Sequence, residues 1–132
     1  MTWQEMITDA LSGTGLPVAE QLYEGKADEF ITFNLADNPA EDFGDNDALS
    51  LVYYVQVHYV CRWEADYTTK VKQIRKALYG AGFTYPDLTD LSDRGERIRH
   101  LVFECSIENN FDLEEEDEKD EVEDEEEEES EE

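Results

Sequence analysis

Four side chains of the kinds that ligate zinc, His58, Cys61, His100 and Cys105, fall into two sequence pairs. A structural zinc centre needs such donors converging tetrahedrally on one point. Within each pair the separation is an odd number of positions, and in an extended chain odd spacing sends the two side chains to opposite faces. The spacing therefore argues against zinc, and His58 and His100 read as ordinary sheet residues. Asp42, Asp45 and Asp47 bring carboxylate oxygens close together, as a hard cation requires, but the loop lacks the Glu at the twelfth position that completes a calcium loop. It reads as solvated loop charge. No metal site and no cofactor is predicted.

Nucleophilic and acid–base chemistry fare no better. Cys61 and Cys105 lie mid-strand in apolar runs, with no helix N-terminus or basic neighbour to lower a thiol pKa. They are predicted to be free thiols behaving as small buried hydrophobes, as expected in a reducing compartment. Glu64 and Asp66 follow Trp63 at a strand end, where acid–base pairs occur, yet a solvated loop and a helix cap account for them equally well. The run Gly13-Thr14-Gly15 is too short for a dinucleotide fingerprint and follows a helix where that motif must follow a strand. Asp42-Phe43-Gly44 matches the kinase metal-binding tripeptide in letters alone. Catalytic residues are expected to be none, and the chain is not expected to be an enzyme.

Charge is the dominant feature. The 132 residues carry a formal net charge of −26, from 36 acidic and 10 basic side chains. Residues 112–132 hold 17 of the acidic groups against the single Lys119, and beyond Leu113 and Val122 they have almost nothing apolar to bury. Such a segment cannot offset the roughly 1–2 kcal/mol per residue that backbone ordering costs. Two regions are predicted: a globular domain over 1–111, long enough for one hydrophobic core, and a disordered polyacidic tail over 112–132. The tail suits a solubilising bristle, a competitor for the chain's own or a neighbour's basic surface, or a polyanion offered to a basic partner. No run approaches the roughly 20 apolar residues of a membrane span, and residues 1–15 lack the pattern of a secretory signal, so a cytoplasmic protein without a membrane partner is expected.

The elements that must position these groups follow from periodicity. Trp3, Met6, Ile7, Ala10 and Leu11 share one helical face over 2–12, with Thr2 and Glu5 as a capping box and Gly13 as the left-handed C-terminal residue. Pro17 ends any helix, so 18–23 reads as extended. In 29–35, Ile31, Phe33 and Leu35 alternate with Phe30, Thr32 and Asn34, and the two segments have the spacing of a hairpin. Residues 36–50 read as a long polar loop. The clearest strand is 51–63, whose odd-numbered residues Leu51, Tyr53, Val55, Val57, Tyr59, Cys61 and Trp63 form one face. Thirteen residues far exceed the usual length of about five or six, so this strand is expected to outrun its sheet, curl, or pair with another chain.

A second helix over 67–81 turns Tyr67, Val71, Ile74, Ala77 and Leu78 inward, with Asp66 as N-cap and Gly80 and Gly82 closing it. The Tyr85-Pro86 region, 83–91, reads as irregular or edge chain, and 96–107 as a last strand with Leu101, Phe103, Cys105 and Ile107 on one face. The expected fold is α+β: a mainly antiparallel sheet with two helices packed on one face.

Basic residues form two islands, Lys70, Lys72, Arg75 and Lys76 on the second helix, and Arg94, Arg97 and Arg99 near the last strand. In an acidic protein they suit a contact with an acidic loop such as Asp42, Asp45 and Asp47 of another subunit, or simply a solvated face. Direct sequence-specific nucleic-acid binding is not expected, because the negative tail repels phosphate and competes for basic surface.

Taken together, residues 1–111 resemble the tail terminator, or tail completion, proteins of long-tailed phages and prophages. The resemblance rests on chain size, the amphipathic first helix followed by Gly15-Leu16-Pro17-Val18, Tyr23 and Gly25 leading into 29–34, the tyrosine-rich strand 51–63, the helix 67–81 and the closing strand 98–107. It implies an α+β subunit that assembles as a homo-hexameric ring on the end of a tail tube, stops tube polymerisation and presents the surface that joins the head. The implied partners are further copies of itself, the tail tube protein and a head–tail connector or neck protein, in the host cytoplasm during assembly and then in the virion tail. Ring contacts are implied at the long strand, the loop before it and the basic helix. The polyacidic tail departs from the pattern, since six such chains repel one another unless screened or matched by a basic neighbour. The same features fit another neck component, for head closure or head–tail joining, or a cytoplasmic acidic binding protein acting through its tail.

Overall fold

The computed structural model describes residues 1–42 and 49–109. The polyacidic segment 112–132, with the side chains of Asp42, Asp45 and Asp47, lies outside the described residues. Thr2 opens α1 (Trp3–Leu11) with the expected capping box: its Oγ1 accepts from Glu5 N–H at 3.1 Å, and Glu5 Oε1 accepts from Thr2 N–H at 2.8 Å. The helix does not stop at Gly13. A single 3₁₀ turn, Ser12–Thr14, tightens its end, so the left-handed residue is Gly15 at φ 77°.

Among the described residues six strands follow: β1 (Val18–Glu20), β2 (Phe30–Asp37), β3 (Ala40–Asp42), β4 (Leu49–Arg62), then, after helix α2 (Thr68–Gly80), β5 (Asp87–Asp90) and β6 (Ile98–Asn109). The sheet order is β1-β2-β4-β6-β5, with β3 pairing β4 beside β2. Every pairing is antiparallel except β1–β2. The expected hairpin is therefore a parallel pair, with Val18 opposite Ile31 and Glu20 opposite Phe33. Gln21, at φ 69°, turns the chain out of β1, and the connection folds back along β1, where Tyr23 stacks on Phe30 at 4.5 Å and its hydroxyl accepts from Ala27 N–H. That return path lets β2 start at the same end as β1.

The segment read as one long loop contains β3, since Ala40 to Asp42 pair with Leu51 to Leu49. Asn38 Nδ2 donates to Val52 O and Val52 N–H donates to Pro39 O, which fastens this turn to β4. The long strand does not outrun its sheet. β6 pairs with it from Leu51 to Arg62, while β2 and β3 share its other edge, so β4 is the central strand and needs no second chain to satisfy its backbone.

The odd-numbered face of β4 is buried as its alternation requires. Tyr53, Val55, Val57, Tyr59 and Cys61 join Ile31 and Phe33 of β2 and Leu101, Phe103 and Cys105 of β6 under Trp3, Ile7, Leu11, Ile74 and Leu78 of the helices. Trp3 meets Phe33 edge-on at 5.8 Å. Each such side chain contributes on the order of 1.5–3 kcal/mol by leaving water, so this face, rather than local propensity, fixes the two helices on the sheet. The cap of α2 is Tyr67, with no side-chain hydrogen bond, in place of Asp66. The helix begins one residue later than an Asp66 cap needs.

Candidate functional site

The even-numbered face of the sheet carries a row of polar side chains across three strands. Asn34 on β2 is opposite Gln56 on β4, which is opposite Glu104 on β6. Asn34 Nδ2 donates to Gln56 Oε1 at 3.1 Å, and Gln56 Nε2 donates to Glu104 Oε2 at 2.9 Å. One step along β4, His58 reaches diagonally both ways: its Nε2 lies 2.9 Å from Asn34 Oδ1 and its Nδ1 lies 2.8 Å from His100 Nε2. Burial holds both imidazoles below their ordinary pKa, and His100 depresses His58 further.

The register bears out the geometry expected of the His–Cys pairs. His58 and His100 share the open face, while Cys61 and Cys105 are buried, free thiols on the helix-covered side. Burial raises both thiols, Cys105 to about 12. The contact between the two histidines was not legible from sequence, because it depends on β4 pairing with β6 in a register where His100 is opposite Val60.

Beside the histidine pair is a cleft of about 270 Å³ bounded by Leu22, Tyr23, Phe30 and Val60. Phe30 and Val60 also border a second cleft of about 530 Å³, rimmed by Asp28, Arg62, Glu64 and Arg97. Arg62 Nε pairs with Asp28 at 3.0 Å, and Arg97 pairs with Glu64. The Glu64–Asp66 carboxylate pair is thus divided: Glu64 faces a guanidinium, and Asp66 is exposed at the approach to α2.

The residues expected at an interface separate into two groups. Lys70 Nζ donates to Thr14 O at 2.8 Å, Arg75 Nε donates to Pro86 O at 3.2 Å beside the Tyr85 ring, and Arg99 Nε donates to Trp63 O at 2.9 Å. These three, and Arg97 through its pair with Glu64, are engaged within the chain. Lys72 and Lys76, four positions apart on α2, are exposed and have no charge partner among the described residues. Tyr79, 60% exposed, continues that stripe and meets Tyr85 edge-on at 5.7 Å.

The described strand ends that lead into the two acidic segments lie side by side. Asp42 is opposite Leu49, and Leu51 is opposite Asn109, so the chain enters 43–48 and 110–132 from neighbouring strand ends. Glu41 and Glu108 flank those ends. Among the described residues no helix is long and apolar enough to cross a membrane.

Eleven solved chains match this architecture. One of them is 13% identical with a TM-score of 0.50, the match covering 83% of this chain and 97% of that one. Another, from the virion of a native gene transfer agent (GTA) particle, is 14% identical with a TM-score of 0.45, over 76% of this chain and 84% of that one. No family model and no curated protein sequence matches.

Proposed function

We propose that this chain is a structural subunit of a phage-type particle, a tail terminator that caps the tail tube as a ring, stops its growth and offers the surface for the head. The observation that carries this reading is the separation of charge on one subunit. The chain enters its acidic segments from the β3–β4–β6 end of the sheet, where Glu41 and Glu108 stand, while Lys72 and Lys76, without a charge partner among the described residues, and the exposed Tyr79 lie on the outer side of α2. Two unlike, complementary patches make a head-to-tail contact, and head-to-tail contacts close into rings when the rotation permits. The sequence resemblance supplies the number six and the tube; the long paired β4 and the two helices on one face are the elements it requires. The reading needs no catalytic group, and the partners are other copies of the chain, a tube protein and a neck protein.

Light scattering on the full-length chain at low salt and near 0.3 M tests it. Screening at the higher salt reduces repulsion among chains of net charge −26. The expected result is a hexamer favoured by salt and reduced to smaller species by Lys72→Glu with Lys76→Glu. A monomer at both salts that binds basic proteins through 112–132 supports the acidic binding protein in its place.

A further inference from the structure

Two imidazoles on the open sheet face serve neither the hydrophobic core nor the proposed ring contact. The hydrogen positions in their row follow from its far end. A carboxylate only accepts, so Gln56 Nε2 donates to Glu104, which leaves Gln56 Oε1 to accept from Asn34 Nδ2 and Asn34 Oδ1 to accept from His58 Nε2–H. A neutral His58 held in that tautomer presents a bare Nδ1 to His100, and His100 Nε2–H donates into it across 2.8 Å. A first added proton enters at His100 Nδ1 and leaves every one of these bonds in place. A second proton must enter at His58 Nδ1, which sets two N–H groups and two positive charges against each other.

We propose that His58 and His100 form a single-proton latch across β4 and β6, which holds one proton with the row intact and opens when it takes the second. Among the described residues, the groups around it do not supply a compensating charge at either ring. From β2 it faces Thr32 and Asn34, from β4 Gln56 and Val60, and from the segment after β1 Gln21, Leu22 and Tyr23. Behind His100, Ser92 Oγ accepts from the His100 backbone N–H, and Asp90 is held below the usual carboxylate range by its own bonds to Ser92. The nearest carboxylate in the row, Glu104, is reached only through Gln56 and Asn34, and the Arg62–Asp28 pair lies beyond Val60. The two rings are tilted by 33°, close enough for coupled titration. This inference stands apart from the ring reading, since it concerns one chain.

The test is the pH course of the imidazole nitrogens in the ¹⁵N-labelled full-length chain, followed by long-range ¹H–¹⁵N correlation from pH 8 to pH 4.5, with backbone amides reporting the fold. The expected result is a neutral His58 protonated at Nε2, a first step that moves both rings together for one proton per pair, and a second step more than one pH unit lower. In His100→Gln, His58 should titrate in one step lying above that second step. Two rings that titrate independently in the native fold, one proton each within the same pH unit, overturn the latch. If amide signals lose their dispersion as the second proton binds, His58→Gln decides: a native spectrum at that pH shows that the latch opening is the cause, and the same loss in both chains overturns it.

Discussion

The guanidinium carbon of Arg99 lies 4.2 Å from the centre of the Trp63 ring while its Nε donates to the Trp63 carbonyl. The same carbon lies 4.4 Å from the centre of the Tyr67 ring, so one side chain of β6 ties down the link between β4 and α2. A planar cation in contact with two aromatic rings while it donates a hydrogen bond is an arrangement that lysine does not reproduce. It turns a residue of the basic island into part of the scaffold that aims α2, and with it Lys72 and Lys76, outward.

Arg99→Ala should therefore lower stability by about 1–2 kcal/mol, from two exposed-to-half-buried cation–π contacts and one hydrogen bond. Arg99→Lys should recover less than half of the loss. Urea unfolding followed by tryptophan fluorescence checks both, and an unchanged midpoint for the alanine variant removes Arg99 from the scaffold.

Tyr59 is fully buried at the ring yet donates its hydroxyl to Glu29 Oε2 at 2.5 Å. Burial, with the Glu29 bond next, drives its pKa upward, so the phenol stays protonated through any pH the protein tolerates. Tyr59→Phe keeps the packing and takes the donor from a half-buried carboxylate, at a cost of about 1–2 kcal/mol. Glu29→Gln, which still accepts, should cost less in the same unfolding assay.

The two thiols should be inert in the folded chain. With Cys61 and Cys105 buried and both raised, Cys105 to about 12, neither forms appreciable thiolate at pH 8. A disulfide reagent should label less than a tenth of the thiols in native protein over the time in which it labels both in urea. Fast labelling of Cys105 without denaturant would show that β6 opens locally.

The histidine pair fixes the sign of one pH effect. Both imidazoles have folded-state pKa values below the ordinary 6.5, so the unfolded chain binds more protons than the folded one as pH falls through that value. Their contribution to stability is complete above about pH 6.5 and is lost as pH drops through the depressed folded values, with a slope below about 1.4 kcal/mol per pH unit for each proton. Unfolding free energies measured from pH 7.5 to 5 in the wild type and in His58→Gln with His100→Gln should diverge in that direction. Parallel curves would show that neither ring contributes.

Local pattern alone determined α1 and the buried faces of the two long strands. The 3.6-residue period of Trp3, Ile7 and Leu11 and the Thr2–Glu5 capping box specified α1, and the two-residue period of 53–61 and 101–105 specified which faces of β4 and β6 enter the core. Both signals lie within a few positions of one another, so a linear reading captures them. The same period placed His58 and Cys61 on opposite faces, and that holds in the fold. Charge segregation was also plain in the composition, with 17 of 36 carboxylates in the last 21 residues.

Pairing was decided only in three dimensions. Nothing local distinguishes a hairpin from the parallel β1–β2 pair, because the direction of the return depends on how 21–29 folds over β1. The centrality of β4 depends on β6, almost fifty residues further on, closing its second edge. The histidine pair, the Asn34–Gln56–Glu104 row and the seat of Arg99 each require partners from different strands in one register, and register is set by the burial of the opposite face. Sequence determines which side a residue faces; the tertiary structure decides whom it meets there.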